Sequence, residues 1–240
     1  NLLPSNITVK EDKWQLYSNH ELVFGDQINI NDLVLESGAQ KITASTKNTG
    51  TNDLSIDLSE LDLQSFAGYL DLKQNNYFGR VSGHIDIDHF MTDQLIHADV
   101  HSTNEVRINN DTLGLIHAVV NFDTKSNVLT IDQNTSILKG TDFANASGFV
   151  NFKDSTIKLQ TVLMNTNIAF ANQFVTDFIH DLNGHASGTV NIEGNINDPK
   201  ISGDIIVKNA SLKVIYLGTR YTMDEVKLNF NNRRINMEDF

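Results

Sequence analysis

The 240-residue chain contains no cysteine. Disulfides, thiolate nucleophiles and cysteine-ligated zinc are thereby excluded, while the compartment stays open on that absence alone. Proline occurs only at Pro4 and Pro199, so no proline-rich linker divides the chain. No stretch approaches the roughly 20 consecutive apolar residues that a membrane-spanning helix requires. The opening at Asn1 rather than Met is read as a processed or excised segment, with any anchor of the parent protein expected outside it.

Basic residues are scarce. Lysine and arginine number 18 against 30 acidic residues, a formal charge of −12, and the one tight basic pair is Arg233-Arg234. Phosphate binding needs a clustered basic surface, so no nucleic-acid partner is expected. Anionic membrane faces gain equally little from such a surface.

Catalytic signatures are missing as well. There is no Gly-x-Ser-x-Gly elbow, phosphate loop or dinucleotide fingerprint, and no cofactor is expected. Gly184-His185-Ala186-Ser187-Gly188 resembles a nucleophile turn only superficially, because its spacing is wrong, and it is read as a packing turn. The chain is expected to be non-catalytic.

What the sequence does have is alternation. Ile28 and Ile30, Leu54, Ile56 and Leu58, Ile85 and Ile87, Val190 and Ile192, Ile205 and Val207, Leu212, Val214 and Tyr216, and Val226, Leu228 and Phe230 recur with period two. Polar residues fill the gaps, so each run places one apolar and one wet face on a strand. Asn48-Thr49-Gly50-Thr51-Asn52 and Asn195-Ile196-Asn197-Asp198-Pro199 are turns between such runs. The expected fold is mainly β, a meandering antiparallel sheet with two short helices.

The helices are predicted from two apolar stripes. Ala171, Phe174, Val175, Phe178, Ile179 and Leu182 have helical spacing and run into Asn183-Gly184, predicting a helix near residues 168–183. Leu63, Phe66, Ala67 and Leu70, following Ser59-Glu60, predict another near residues 59–72.

An internal repeat of about 105 residues organises the whole chain. Gly79-Arg80-Val81-Ser82-Gly83-His84-Ile85-Asp86-Ile87 lies over Gly184-His185-Ala186-Ser187-Gly188-Thr189-Val190-Asn191-Ile192. Asp93 meets Asp198, Ile96 meets Ile201, and Ala98-Asp99-Val100 meets Gly203-Asp204-Ile205. The expected organisation is a first repeat region over residues 1–105, beginning mid-unit, and a second over residues 106–240. Together they are expected to form one continuous elongated body.

The run Gly188-Thr189-Val190-Asn191-Ile192-Glu193-Gly194, then Asp198-Pro199-Lys200-Ile201-Ser202-Gly203-Asp204-Ile205, resembles the TamB family (translocation and assembly module) and the broader AsmA-like group. Asn209-Ala210-Ser211-Leu212 and the tyrosines Tyr216 and Tyr221 fit the same pattern. Leu3-Pro4, Trp14 and Leu35-Glu36-Ser37-Gly38-Ala39-Gln40-Lys41-Ile42 resemble its Bacteroidetes-type version. Gln94 in place of Pro199, and Ala98 in place of Gly203, depart from the pattern in the first copy. The resemblance implies a sheet curled into a U-shaped, taco-like trough with an apolar interior. It implies a periplasmic bridge in a Gram-negative envelope, anchored in the inner membrane, handling phospholipid and outer-membrane protein assembly with a partner barrel.

A one-sided sheet must cover its apolar face or leave a groove. The candidate groove lining is Ile85, Ile87, Val190, Ile192, Ile201, Ile205, Val207, Leu212, Val214, Tyr216, Leu228 and Phe230, with phospholipid acyl chains as cargo. The same positions could instead close into a sandwich core, leaving a structural β-repeat scaffold or adhesin-like module without lipid. His84, Asp86 and Asp88 share one strand face, as do His97, Asp99 and His101, and imidazoles and carboxylates so spaced can converge on a metal. The second copy has Thr189, Asn191, Ser202 and Asp204 at corresponding positions, so a solvated outer face is the expectation and His97, Asp99 and His101 remain the metal alternative.

Overall fold

A computed structural model describes residues 5–9, 12–17, 21–23, 29–47, 52–67, 76–109, 111–172, 179–232 and 234–238. Contacts divide the chain into two compact units, Asn1–Thr130 and Ile131–Phe240.

The first unit runs β1 (Ser5–Val9), β2 (Asp12–Leu16), β3 (Glu21–Val23), β4 (Asn29–Asn31), β5 (Leu33–Ser37), β6 (Gln40–Thr46) and β7 (Leu54–Asp62). A short helix α1 (Leu63–Ala67) follows, then β8 (Tyr77–Phe78), β9 (Arg80–Asp88), β10 (Leu95–Ser102), β11 (Val106–Ile108) and β12 (Asp111–Asp123). Neighbours pair antiparallel in the order β1-β2-β5-β6-β7-β9-β10-β12. β8 and β11 add a side branch onto β12. A further strand, β13 (Val128–Ile131), contains the unit boundary.

The second unit is a plain meander. It contains β14 (Ser136–Lys139), β15 (Asp142–Asn151), β16 (Thr156–Asn167), the 3-10 turn Ile168–Ala171, β17 (Ile179–Asn195), β18 (Asp198–Val214), β19 (Thr219–Asn232) and β20 (Arg234–Glu238). Each strand pairs antiparallel with the next. The mainly β, antiparallel architecture is the one that the period-two alternation implies.

The strands are not flat. Glu60, Asn165, Asp181 and Asn209 hold positive φ angles of 52, 51, 56 and 50° inside strands. Each sits where the register slips by one residue against a neighbour. Such bulges bend the strand and sharpen its twist. The Glu60 amide donates to Ser82 Oγ at 2.9 Å, and the Asn165 amide donates to Ser187 Oγ at 2.9 Å. A hydroxyl from the facing strand thus satisfies the donor that the bulge removes from the ladder.

The same offset that aligns the sequences relates these two sites. Leu58 opposes Gly83 and Leu61 opposes Val81 across the first bulge. Leu163 opposes Gly188 and Thr166 opposes Ala186 across the second. Both glycines press against the next strand. A methyl group on Gly83 would overlap the Asp99 carbonyl and lie 2.6 Å from Val100 Cα. On Gly188 it would overlap the Asp204 carbonyl and lie 2.8 Å from Ile205 Cα.

Two expectations about helices need correction. In the first stripe Ser59, Glu60, Leu61 and Asp62 belong to strand β7, and α1 starts only at Leu63. Asp62 caps it, its Oδ1 accepting from the amides of Gln64 at 2.8 Å and Ser65 at 3.3 Å. Leu70 lies outside the described residues. In the second stripe Ala171 ends the 3-10 turn, whereas Ile179, Leu182, Asn183 and Gly184 lie in β17. Phe174, Val175 and Phe178 fall outside the described residues. The reason is the bulge at Asp181. An extra residue between two side chains on the same strand face converts a spacing of two into three, and a spacing of three imitates a helix.

Substituting Gly188 by alanine is expected to lower the stability of the second unit by at least about 2 kcal/mol, from strain and overpacking together. Gly38→Ala, at a turn with φ of 62° and open space around it, should cost only about 1 kcal/mol. Denaturant midpoints of the two variants check this.

Candidate functional site

In-register neighbours on an antiparallel sheet share a face, so the pairings sort the side chains directly. In the first unit Leu16, Leu35, Ile42, Leu58, Gly83, Val100 and Ala118 form one cross-strand row. Beside it runs Leu33, Ala44, Ile56, Ile85, Ala98 and Val120, and then Leu54, Ile87, Ile96 and Phe122. Ile85 and Ile87 therefore stand on an apolar face, both half-buried.

The second unit repeats the arrangement. Ile137, Ala144, Leu163, Gly188, Ile205, Leu228 and Met237 make one row. Val190, Gly203, Phe230 and Ile235 make the next, and Leu159, Ile192 and Ile201 another. Past the bulges, Ala186, Val207 and Val226 are in register. At Asn209 the strand gains one residue, which keeps Ala210, Leu212 and Val214 on the apolar face.

Burial along this face is graded. Leu163, Ala186, Ile205, Val207, Ala210 and Val226 form the packed centre, with Val207 1% and Val226 2% exposed. Val190, Ile192, Ile201, Leu212, Val214, Leu228 and Phe230 are half-buried. At the outer strand β20, Ile235 is 56% and Met237 45% exposed. Apolar side chains thus continue well past the packed centre among the described residues.

Eleven of the twelve expected lining residues share these faces, within their own units. Tyr216 does not. It occupies the turn between β18 and β19 and is 94% exposed, because strand pairing stops at Val214↔Thr219. The packed-centre residues Leu163, Ala186 and Ala210 escaped the lining set. Alanine carries little hydrophobic signal, and the Asn165 bulge breaks the alternation beside Leu163.

The opposite face of the first unit is a lattice of charges. His84 Nδ1 lies 2.7 Å from Asp57 Oδ1, and its Nε2 lies 3.0 Å from Asp86 Oδ1. Lys47 Nζ reaches Asp86 at 3.0 Å and Asp88 at 3.2 Å. The Asp57 hydrogen bond raises His84 above the ordinary imidazole range; partial burial opposes this, and Asp86 reinforces it.

The metal alternative gathers no ligand set. His97 turns to Asn121 at 2.8 Å, Asp99 turns to His117 at 2.7 Å, and His101 stands opposite Ser82 and His117. Among the described residues no group of three or more histidines and carboxylates is placed to hold an ion.

The comparisons bear on the second unit. A model of the TamB C-terminal domain matches residues 132–238, nearly all of that meander. That match places the second unit, residues 132–238, in the TamB family. TamB proteins are non-catalytic cell-envelope components serving assembly and transport. Searches of curated proteins and of solved structures found no match. No helix among the described residues is long and apolar enough to cross a membrane.

His84 gives a pH dependence of definite sign. Its folded value is raised above 6.5, so its contribution is fully present below pH 6.5 and disappears as pH rises through the folded value. The wild-type unfolding midpoint should therefore fall over that window more than the midpoint of His84→Gln. Urea titrations of the two proteins at pH 6 and pH 8 measure the difference, which added salt should shrink because the pair is solvent-accessible, His84 42% and Asp57 69% exposed.

Proposed function

We propose that the half-covered apolar face of each unit shelters lipid acyl chains, as a segment of a TamB-type envelope bridge. The observation that carries this reading is the continuation of apolar rows beyond the packed centre, through Leu228 and Phe230 to Ile235 and Met237. A soluble protein that leaves such a row exposed needs something to cover it. Each buried methylene contributes about 0.8 kcal/mol, so one long acyl chain gains on the order of 10 kcal/mol before entropic costs. Rows built from Ile, Val, Leu and Phe offer no polar group for fixed registration. Such a wall suits sliding better than specific capture.

The wider setting belongs to the same proposal. The chain serves in the periplasm as part of an inner-membrane-anchored protein, moving phospholipid between membranes or assisting outer-membrane protein assembly with a barrel partner. The competing reading is a β-repeat scaffold or adhesin-like module, whose apolar rows would be covered by protein.

The two readings part on bound lipid. Protein purified without detergent should carry phospholipid, detected by solvent extraction and native mass spectrometry. Ile192→Asp replaces a half-buried residue outside the packed centre, so the sheet should remain folded by circular dichroism. Its lipid content should drop about tenfold or more, the factor that 1.4 kcal/mol represents. Lipid-free wild-type protein would overturn the acyl-chain reading and leave the scaffold.

A further inference from the structure

The turn between β18 and β19 differs from three other turns of the second unit. Asp132 Oδ1 accepts from the Asn134 amide at 2.9 Å, Asn151 Oδ1 from Lys153 and Asp154 at 3.0 Å each, and Asn195 Oδ1 from Asn197 at 2.9 Å. These are polar side chains closing their own turns. The β18–β19 turn instead reads Ile215-Tyr216-Leu217-Gly218, closed by Gly218 N donating to Ile215 O at 3.1 Å. Its three large side chains are 40%, 94% and 57% exposed. Other turns show a single exposed hydrophobic, such as Met91 or Phe152; only here do three stand in succession among the described residues.

Behind the tip the chemistry changes in order. Val214 faces Thr219, then Lys213 faces Arg220, then Leu212 faces Tyr221. Lys213 and Arg220 are exposed, and Arg220 Nη2 is held by Asp181 at 2.6 Å. At roughly 3.4 Å per residue the cationic pair sits about 7 Å behind Ile215. An apolar end with a phenol at its apex, and cations behind it, match the profile of a bilayer interface. There apolar groups reach about 5–10 Å to the acyl boundary, the amphipathic ring of tyrosine is accommodated, and basic residues stay at headgroup level. A protein pocket would not require that ordering. The acidic surface, at −12 overall, opposes approach to anionic lipid, so the contact rests on the tip rather than on charge.

We propose that the Ile215-Tyr216-Leu217 tip inserts into the interface of a lipid bilayer. This contact is separate from cargo on the apolar sheet face and does not depend on it. The chain has one tryptophan, Trp14, which allows a positional probe. In Trp14→Phe/Tyr216→Trp, phosphatidylcholine vesicles should shift the emission to the blue, and lipids brominated near the headgroup end of the acyl chain should quench it. If Trp14→Phe perturbs folding, the Tyr216→Trp single variant minus wild type supplies the same signal. In flotation assays Tyr216→Asp/Leu217→Asp should bind vesicles roughly tenfold or more weakly than wild type, from lost apolar burial. Its co-purified lipid should stay unchanged, while Ile192→Asp should float like wild type. Failure of the brominated lipids to quench the introduced indole, or equal flotation by the tip variant, would overturn the proposal.

Discussion

The structure depends on the close approach of two backbones at Gly83 and at Gly188. A side chain at either position would collide with the adjoining strand, so glycine lets one strand ride against its neighbour where the sheet bends. The bulges at Glu60 and Asn165 lie one strand away on the other side of those glycines. Each has its freed amide held by the serine that precedes the glycine. Ser-Gly is therefore one device with two tasks: a hydroxyl for the bulge and an open backbone for the neighbour. Bulges and glycine kinks are the means by which antiparallel sheets acquire curvature.

The two units preserve that device and change what lies behind it. On the polar face the first unit uses charges, with His84 between Asp57 and Asp86. The second places Thr189 and Asn191 at the corresponding sites. Near those sites amides tie the strands, Gln160 to Asn191 at 3.1 Å and Asn229 to Asp204 at 2.7 Å, beside ion pairs such as Lys158–Glu193 at 3.6 Å. Cross-strand pairs of either kind contribute modestly and similarly, so the polar face tolerates exchange. The apolar face keeps Leu58 and Leu163 opposite the glycines, and Val100 and Ile205 on their far side. Constraint sits on the apolar side.

Strand type and facing were legible because the side-chain period of two is set by backbone geometry, as at Ile85, Ile87, Val190 and Ile192. Even the shift from Ile205 and Val207 to Leu212 and Val214 was written in the sequence, although its cause, the left-handed Asn209, was not. Asp181 shows the opposite outcome. Its bulge made Ile179 and Leu182 look helical, since a spacing of three arises from either structure. Tyr216 was misplaced for a related reason. Alternation continues through it in sequence, but pairing ends at Val214, and no periodicity announces where a hairpin turns. Burial was the least legible property. Ala186 and Ala210 reach the packed centre because neighbours converge on them, and composition alone carries no trace of that.

Incomplete covering of the apolar face follows from the same geometry. A sheet that meanders strand by strand presents one apolar side without supplying a second layer. Among the described residues of the second unit, that side is packed most tightly around Val207 and Val226. A scaffold would face selection to blunt the remaining rows with polar residues, since exposed apolar edges invite aggregation. Instead the rows stay apolar out to Ile235 and Met237, while the charge is carried by the other face. The polar side faces solvent, and the proposed occupant of the apolar side is one that is itself apolar, extended and without polar features to match. An acyl chain has those properties, and a folded protein surface does not.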